Sequence, residues 1–149
     1  MTHHDLIQPN KNEMSNCLTL KNNIDELNRL SLWINDEVAT VFKMPERTIF
    51  VMDLVLTEMV SNIIYYAFPT PCESNIDIKC NLSSDNIKIV IEDDGIAFNP
   101  LDTPDVTLPN TLEEANIGGL GIHLVKKYIN EGSYEYKDNR NIFSMRLKI

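Results

Sequence analysis

Three short segments of this 149-residue chain carry the side chains whose types and spacing could do chemistry. In residues 54–68 (LVLTEMVSNIIYYAF), Glu58 and Asn62 stand four apart, which puts both on one face of a helix. A carboxylate there could polarise a nucleophile beside an amide oxygen able to ligate a hard cation such as Mg²⁺. The same spacing also fits a solvated polar face. In residues 92–100 (EDDGIAFNP), the pair Asp93-Asp94 and Gly95 directly follow an apolar run. An ordinary turn reads this way too. Asp93, however, sits at the inner end of the run, where a carboxylate is unfavourable unless something donates to it. An adenine amino group is such a donor. In Ile117-Gly118-Gly119-Leu120-Gly121, three glycines in four positions open a helical pattern. They permit close backbone approach, and the unpaired N–H groups of a first helical turn make an anion site. A flexible hinge is the plainer alternative. No G-x-x-x-x-G-K-[ST] is present and no βαβ unit precedes the glycines, so neither a P-loop nor a dinucleotide fold is supported.

Elements to position these groups can be read along the chain. Residues 1–16 are polar and aperiodic and suggest a loosely held lead-in, with the folded domain expected over residues 17–149. Residues 17–20 suit a short edge strand. Asn23 with Glu26 three residues on signals a helix start, and Ile24, Leu27, Leu30, Ile34, Val38, Val41 and Phe42 give an apolar face for a first helix over 23–43. Pro45 suits the first turn of a second helix, carried to about Tyr66 by Ile49, Met52, Leu56, Met59, Val60, Ile63 and Ala67. Residues 76–82 and 87–92 alternate as an antiparallel hairpin joined by residues 83–86. Residues 93–121 lose periodicity and hold four of the five glycines. A loop that long in a compact domain points to function or disorder. A third helix is expected over 122–130 with Gly132 as its stop, then strands 133–136 and 142–149 around a turn at residues 138–141. The sum is α+β: helices on one face of a mixed, mainly antiparallel sheet, a two-layer sandwich.

Composition narrows the classes. Thirteen Lys and Arg against twenty-two Asp and Glu give a formal charge of −9, a field that repels nucleic acid and anionic membranes. No window approaches the roughly 18 consecutive apolar residues of a membrane span and no signal-peptide core is seen, so the cytoplasm is the expected compartment. Cys17, Cys72 and Cys80 are odd in number and lack C-x-x-C spacing, which suggests reduced thiols, Cys80 facing a core. The length excludes a two-lobed protein kinase.

Taken together, E-x-x-x-N on a helix, D-x-G-x-A after a strand and G-G-x-G opening a helix resemble the three nucleotide-binding boxes of the histidine-kinase-like ATPase superfamily (GHKL). Within it the chain is most similar to the small anti-sigma factor serine/threonine kinases, from about Cys17 to its end: LVLTEMVSNIIYYAF resembles their helix box, IEDDGIAFNP their strand-end box and GGLGIHLVKKYIN their glycine box. The resemblance implies ATP and Mg²⁺ as cofactors. It implies that Asn62 ligates Mg²⁺, Glu58 is the catalytic carboxylate and Asp93 accepts from adenine. Gly95 and Ala97 would lie along the base, and Gly118, Gly119, Leu120 and Gly121 would cradle phosphates under a lid spanning residues 99–117. It implies phosphorylation of a serine or threonine on a small STAS-type antagonist, exchange of that partner with a sigma factor, and a possible homodimer. The chain departs from many members in carrying Tyr65 and Tyr66 at the end of the helix box and Ile117 before the glycines. Between Ile89 and Val125 it has seven acidic residues and no Lys or Arg, so phosphate charge would fall to Mg²⁺, backbone amides and the third helix, with Lys126 or Lys127 as helpers. His123, in that helix's first turn, reads as a packing residue. The alternative is a nucleotide-binding interaction module with little transfer. A detached histidine-kinase domain fits less well, since His3 and His4 lie in the polar lead-in and no dimerisation helix precedes the first helix.

Overall fold

The structure, a computed structural model, describes residues 14–102 and 120–149. The expected lead-in up to residue 13, the expected lid over 103–117, and Gly118 and Gly119 lie outside the described residues, as does the side chain of Leu120.

A five-stranded sheet is made by β1 (Met14–Lys21), β2 (Asn75–Leu82), β3 (Asn86–Asp93), β4 (Glu131–Lys137) and β5 (Arg140–Lys148), in the order β1-β2-β3-β5-β4. Every neighbouring pair is antiparallel, which resolves the expected mixed or antiparallel sheet as fully antiparallel. Alternation sets the register. Ile76, Ile78, Cys80 and Leu82 of β2, Ile87, Ile89 and Ile91 of β3, and Phe143, Met145 and Leu147 of β5 are all buried on one face. Ile78 pairs with Ile91, and Ile91 with Phe143, so a slip of one residue would turn these side chains to solvent. At about 1.5–3 kcal/mol for each large apolar side chain buried, that face is the main source of fold stability. Cys80 lies in it as expected, and burial pushes its thiol well above the ordinary range.

Helices cover this face. The first, α1, runs as Glu26–Leu32 in α geometry, Trp33–Val38 in π geometry and Ala39–Phe42 in α geometry. Its buried residues explain the wide middle. Leu30, Ile34, Val38 and Phe42 recur every four residues. An α-helix overshoots by about 40° at each four-residue step, which would carry Phe42 about 120° off the face of Leu30. A π turn is wider, with the Ala39 N–H donating five residues back to the Ile34 carbonyl, and it returns the row to the sheet. Trp33 is buried on the same account and donates its Nε1–H to Asn16 Oδ1 at 3.3 Å, whereas Ile24 and Val41 of the expected stripe are exposed.

The second helix, α2 (Glu46–Tyr66), buries Met52, Val55, Leu56, Met59, Val60 and Ile63. By length and composition it could cross a bilayer, unlike the expectation of no membrane span, yet its apolar stripe packs into the core. Pro45 sits one position earlier than expected, in extended conformation at the cap, where its carbonyl accepts the Ile49 N–H at 3.1 Å. Asp53 ties α2 to α1: its carboxylate accepts from Ser31 Oγ and Asn35 Nδ2, both at 3.1 Å, and from Thr57 Oγ1 at 3.2 Å.

After a 3-10 turn at Pro100–Asp102, α3 (Leu120–Tyr128) packs against α2. It ends before the expected residue 130 because the chain is taken up by the sheet: the Asn130 N–H donates to the Arg146 carbonyl at 2.9 Å. Gly132 is therefore not a helix stop but a β4 residue opposite Met145. A two-residue turn, Asp138 and Asn139 at φ 53° and 62°, joins β4 to β5. The expected four-residue turn is shorter by Arg140 and Asn141, which belong to β5. β1 likewise runs beyond the expected residues 17–20 at both ends.

Candidate functional site

At the open end of the sheet, Asp93 closes β3 on the same parity as Ile87, Ile89 and Ile91, so its carboxyl enters the core side and is buried. Two donors meet one of its oxygens: Gly95 N–H at 2.9 Å and Asn141 Nδ2 at 3.0 Å, both to Oδ1. Oδ2 accepts from no described group. Asp93 lines a cleft at this end of the sheet. Burial raises the Asp93 carboxyl above its ordinary range, and the bonds from Asn141 and Gly95 pull it partly back.

The turn after β3 is pressed onto the end of α2. Ile96 N–H donates to the Ala67 carbonyl at 2.9 Å, and a Cβ at Gly95 would stand 2.5 Å from Ala67 Cβ and 2.6 Å from its carbonyl oxygen. Only glycine permits that approach. Asn141 holds the far side. Its Nδ2 also donates to the Ile96 carbonyl at 2.8 Å, and its Oδ1 accepts from Phe98 N–H at 3.0 Å and from the Tyr134 hydroxyl at 2.5 Å. Asp94 is turned outward and accepts from Ser74 Oγ.

The cleft beside Asp93 has apolar walls, Met59, Ile63, Phe98 and Phe143 among them, and Asn62 on α2 is a further wall residue. Asn62 Nδ2 donates to the Glu58 carbonyl at 2.8 Å, which commits the nitrogen to the helix and leaves the amide oxygen as the coordinating atom. One turn earlier, the Glu58 carboxylate reaches the start of α3: a Cβ at Gly121 would stand 1.9 Å from Glu58 Oε2. No lysine or arginine lines the cleft among the described residues, and none of them form a cluster of three or more His, Cys, Asp or Glu that could hold a metal unaided. An Mg²⁺ ion held here would therefore take an amide oxygen and otherwise water and phosphate oxygens, a donor set that suits Mg²⁺. The residues present fit a nucleotide and Mg²⁺ in kind: among the described residues one Asp93 oxygen has no donor, bare backbone lies beside it at Gly95, and the Asn62 amide oxygen follows along α2.

The structure thus brings together Glu58, Asn62, Asp93, Gly95 and Gly121 from three separate segments. Ala97 is exposed on the turn and is not a wall residue among those described. His123 is half-buried on α3. Asn141 and Tyr134 were missed. The signal for Asn141 was available, since it shares parity with Phe143, Met145 and Leu147, and a polar residue on an inward position calls for a buried partner. It was hidden by assigning residues 138–141 to the turn.

Residues 20–147 match the family model described as the histidine kinase-like ATPase domain. The chain is also 25% identical over 109 residues to the serine/threonine-protein kinase BtrW of Bordetella bronchiseptica, an alignment that covers 73% of this chain and 76% of that protein.

Proposed function

The chain belongs to the histidine kinase-like ATPase family, and from that premise we propose that it is an ATP-dependent serine/threonine protein kinase acting as an anti-sigma-type regulator. The observation that carries the reading is the order of groups along α2. In this reading Asp93 and Ala67 mark the base end, Asn62 lies in the middle, and Glu58 against Gly121 marks the phosphate end. Glu58 and Ala67 are nine positions apart, about 14 Å of helix axis. In this reading Asp93 takes the adenine amino group and the turn at Gly95 lies along the base. Asn62 offers its oxygen to Mg²⁺, which supplies neutralisation of the phosphate charge. Glu58 would receive the proton of an incoming serine or threonine hydroxyl. The glycine segment 118–121, with Leu120, contributes backbone N–H groups. The kinase name of the 25%-identical relative supports the substrate class. A small STAS-type antagonist and a sigma factor are the proposed partners, a homodimer the proposed assembly, residues 17–149 the proposed domain and the cytoplasm the proposed setting.

One observation favours a second reading, a nucleotide-dependent interaction module with negligible transfer: from Ile89 to Val125, the stretch that holds the strand-end and glycine segments, the sequence has seven acidic residues and no lysine or arginine to steady the charge of a transferring phosphoryl group. Labelled ATP and Mg²⁺, incubated with the protein and the small proteins encoded beside it, separate the two. The kinase reading expects label on a partner serine or threonine, lost in Glu58→Ala while Mg·ATP binding persists, and loss of that binding in Asn62→Ala. Binding without label selects the module. Failure of the unmodified protein to bind Mg·ATP by titration calorimetry removes both.

A further inference from the structure

We propose that the protein has a second binding site, at the start of α2, for a small phosphomonoester with an apolar body. The site is separate from the cleft beside Asp93. The two cavities share no wall residue, and Thr48 at one stands fourteen positions from Asn62 at the other, about 21 Å of helix axis. The new cavity measures about 300 Å³ and lies where the first turn of α2, the end of α3 and the last residues of β5 meet. That volume is at the lower end of small-molecule sites. Val51, Tyr128 and the fully buried Leu147 form its apolar walls.

Its polar walls are all able to donate, and no Asp or Glu is among them. Arg47 and Lys148 come from different elements, and neither forms an ion pair with a described carboxylate. Two such cations on one cavity run against the balance of a chain with thirteen Lys and Arg and twenty-two Asp and Glu. The Asn130 amide is held in one orientation: its Oδ1 accepts the Lys148 N–H at 2.7 Å, and its Nδ2 has no described acceptor. Thr48 is only 7% exposed, yet its hydroxyl has no hydrogen-bond partner among the described residues, whereas buried polar groups are ordinarily paired. No side chain caps α2, so the N–H groups of its first turn add to the same donor-rich side. A carboxylate would bring one charge and two oxygens to this set. A phosphomonoester brings nearly two charges and three terminal oxygens, which answers two cations and two further donors, and its ester group carries the apolar part to Val51, Tyr128 and Leu147.

Phenyl phosphate is the probe, titrated into the full chain with amide NMR as the readout, with and without saturating Mg·ATP. It is expected to shift the amides of Arg47, Thr48, Asn130 and Lys148 saturably, to do so equally with Mg·ATP present, and to bind at least about fivefold tighter than inorganic phosphate or benzoate. Arg47 and Lys148 are exposed, so Arg47→Gln and Lys148→Gln should keep the parent's melting temperature while each weakens phenyl phosphate by about fivefold or more. Thr48→Val, which exchanges the hydroxyl for a methyl group, should weaken it as well. Lys79→Gln, on the uncovered face of the sheet, should leave it unchanged. Unaltered affinity in both glutamine variants overturns the proposal, as does displacement by Mg·ATP with shifts confined to the surroundings of Asn62 and Gly95. Benzoate binding as tightly as phenyl phosphate overturns the phosphoryl class, and inorganic phosphate binding as tightly overturns the apolar body. A protein that holds phenyl phosphate at these amides but binds no Mg·ATP keeps this site and loses the nucleotide reading alone; one that binds Mg·ATP and shows no saturable shift at these amides loses this site alone.

Discussion

The Glu58 carboxylate fills the space that a side chain at Gly121 would need: a Cβ added to Gly121 would stand 1.9 Å from Glu58 Oε2 and 2.8 Å from Cδ, whereas one added to Gly95 would meet the side chain and the carbonyl of Ala67. The two glycines are therefore unequal in what a methyl group would displace.

At Gly121 the obstacle is the tip of a flexible side chain, and alanine is the better helix former by about 1 kcal/mol. Gly121→Ala is expected to melt at the same temperature as the parent or higher, while phosphate transfer falls more than tenfold because Glu58 is pushed from its position. At Gly95 the obstacle includes backbone, and the Ile96 to Ala67 hydrogen bond would have to open. Gly95→Ala should lose about 1–3 kcal/mol, the usual range for overpacking, together with nucleotide binding. Urea melts and a transfer assay on both variants check this, and equal stability losses would contradict it.

Asp93 makes stability and binding respond to pH in opposite senses. Burial raises its folded-state value above the ordinary 3.8. Between 3.8 and that raised value the folded chain holds the proton more readily than the unfolded one, so this group's contribution is present below 3.8 and is lost as pH rises through the folded value. The parent should lose stability relative to Asp93→Asn over that interval. ATP affinity should instead climb across it, because only the ionised carboxylate offers two accepting oxygens. Urea melts and ATP titrations from pH 4 upward test the pair, and an affinity that falls with rising pH would refute the assignment of Asp93 to the base.

The thiols should divide two to one. Cys17 and Cys72 are exposed and Cys80 is buried in the sheet, where desolvation holds it in the neutral form. An aromatic disulfide reagent should titrate two thiols in the folded protein and the third only with unfolding. Three rapid equivalents would contradict the register of β2.

Much of the architecture was legible because its signals are local. Strands β2, β3 and β5 follow from alternation, and α2 from its three- and four-residue spacing. Glu58, Asn62, Asp93 and Gly121 stood out by type and order. What escaped notice depended on partners distant in sequence. The π turn of α1 arises because a row of residues four apart must stay on a flat sheet, a demand no single helix states by itself. Gly132 passed for a helix stop because the pairing of β4 with β5, which claims it, is set by a turn farther along. Asn141 shows the same effect at the site: its side chain has meaning only once β5 lies beside β3.

That last pairing has a kinetic consequence. Asp93 and Asn141 face each other across one rung of the β3 to β5 ladder and are 48 positions apart in the chain. Closing so wide a loop is entropically slow, and local hairpins such as β2 with β3 or β4 with β5 can form before it. The base end of the cleft is therefore complete only when the two hairpins have joined. In a refolding experiment, nucleotide capture would time the union of the two halves of the sheet, and a chain stalled short of that step would hold its secondary structure while remaining blind to its ligand.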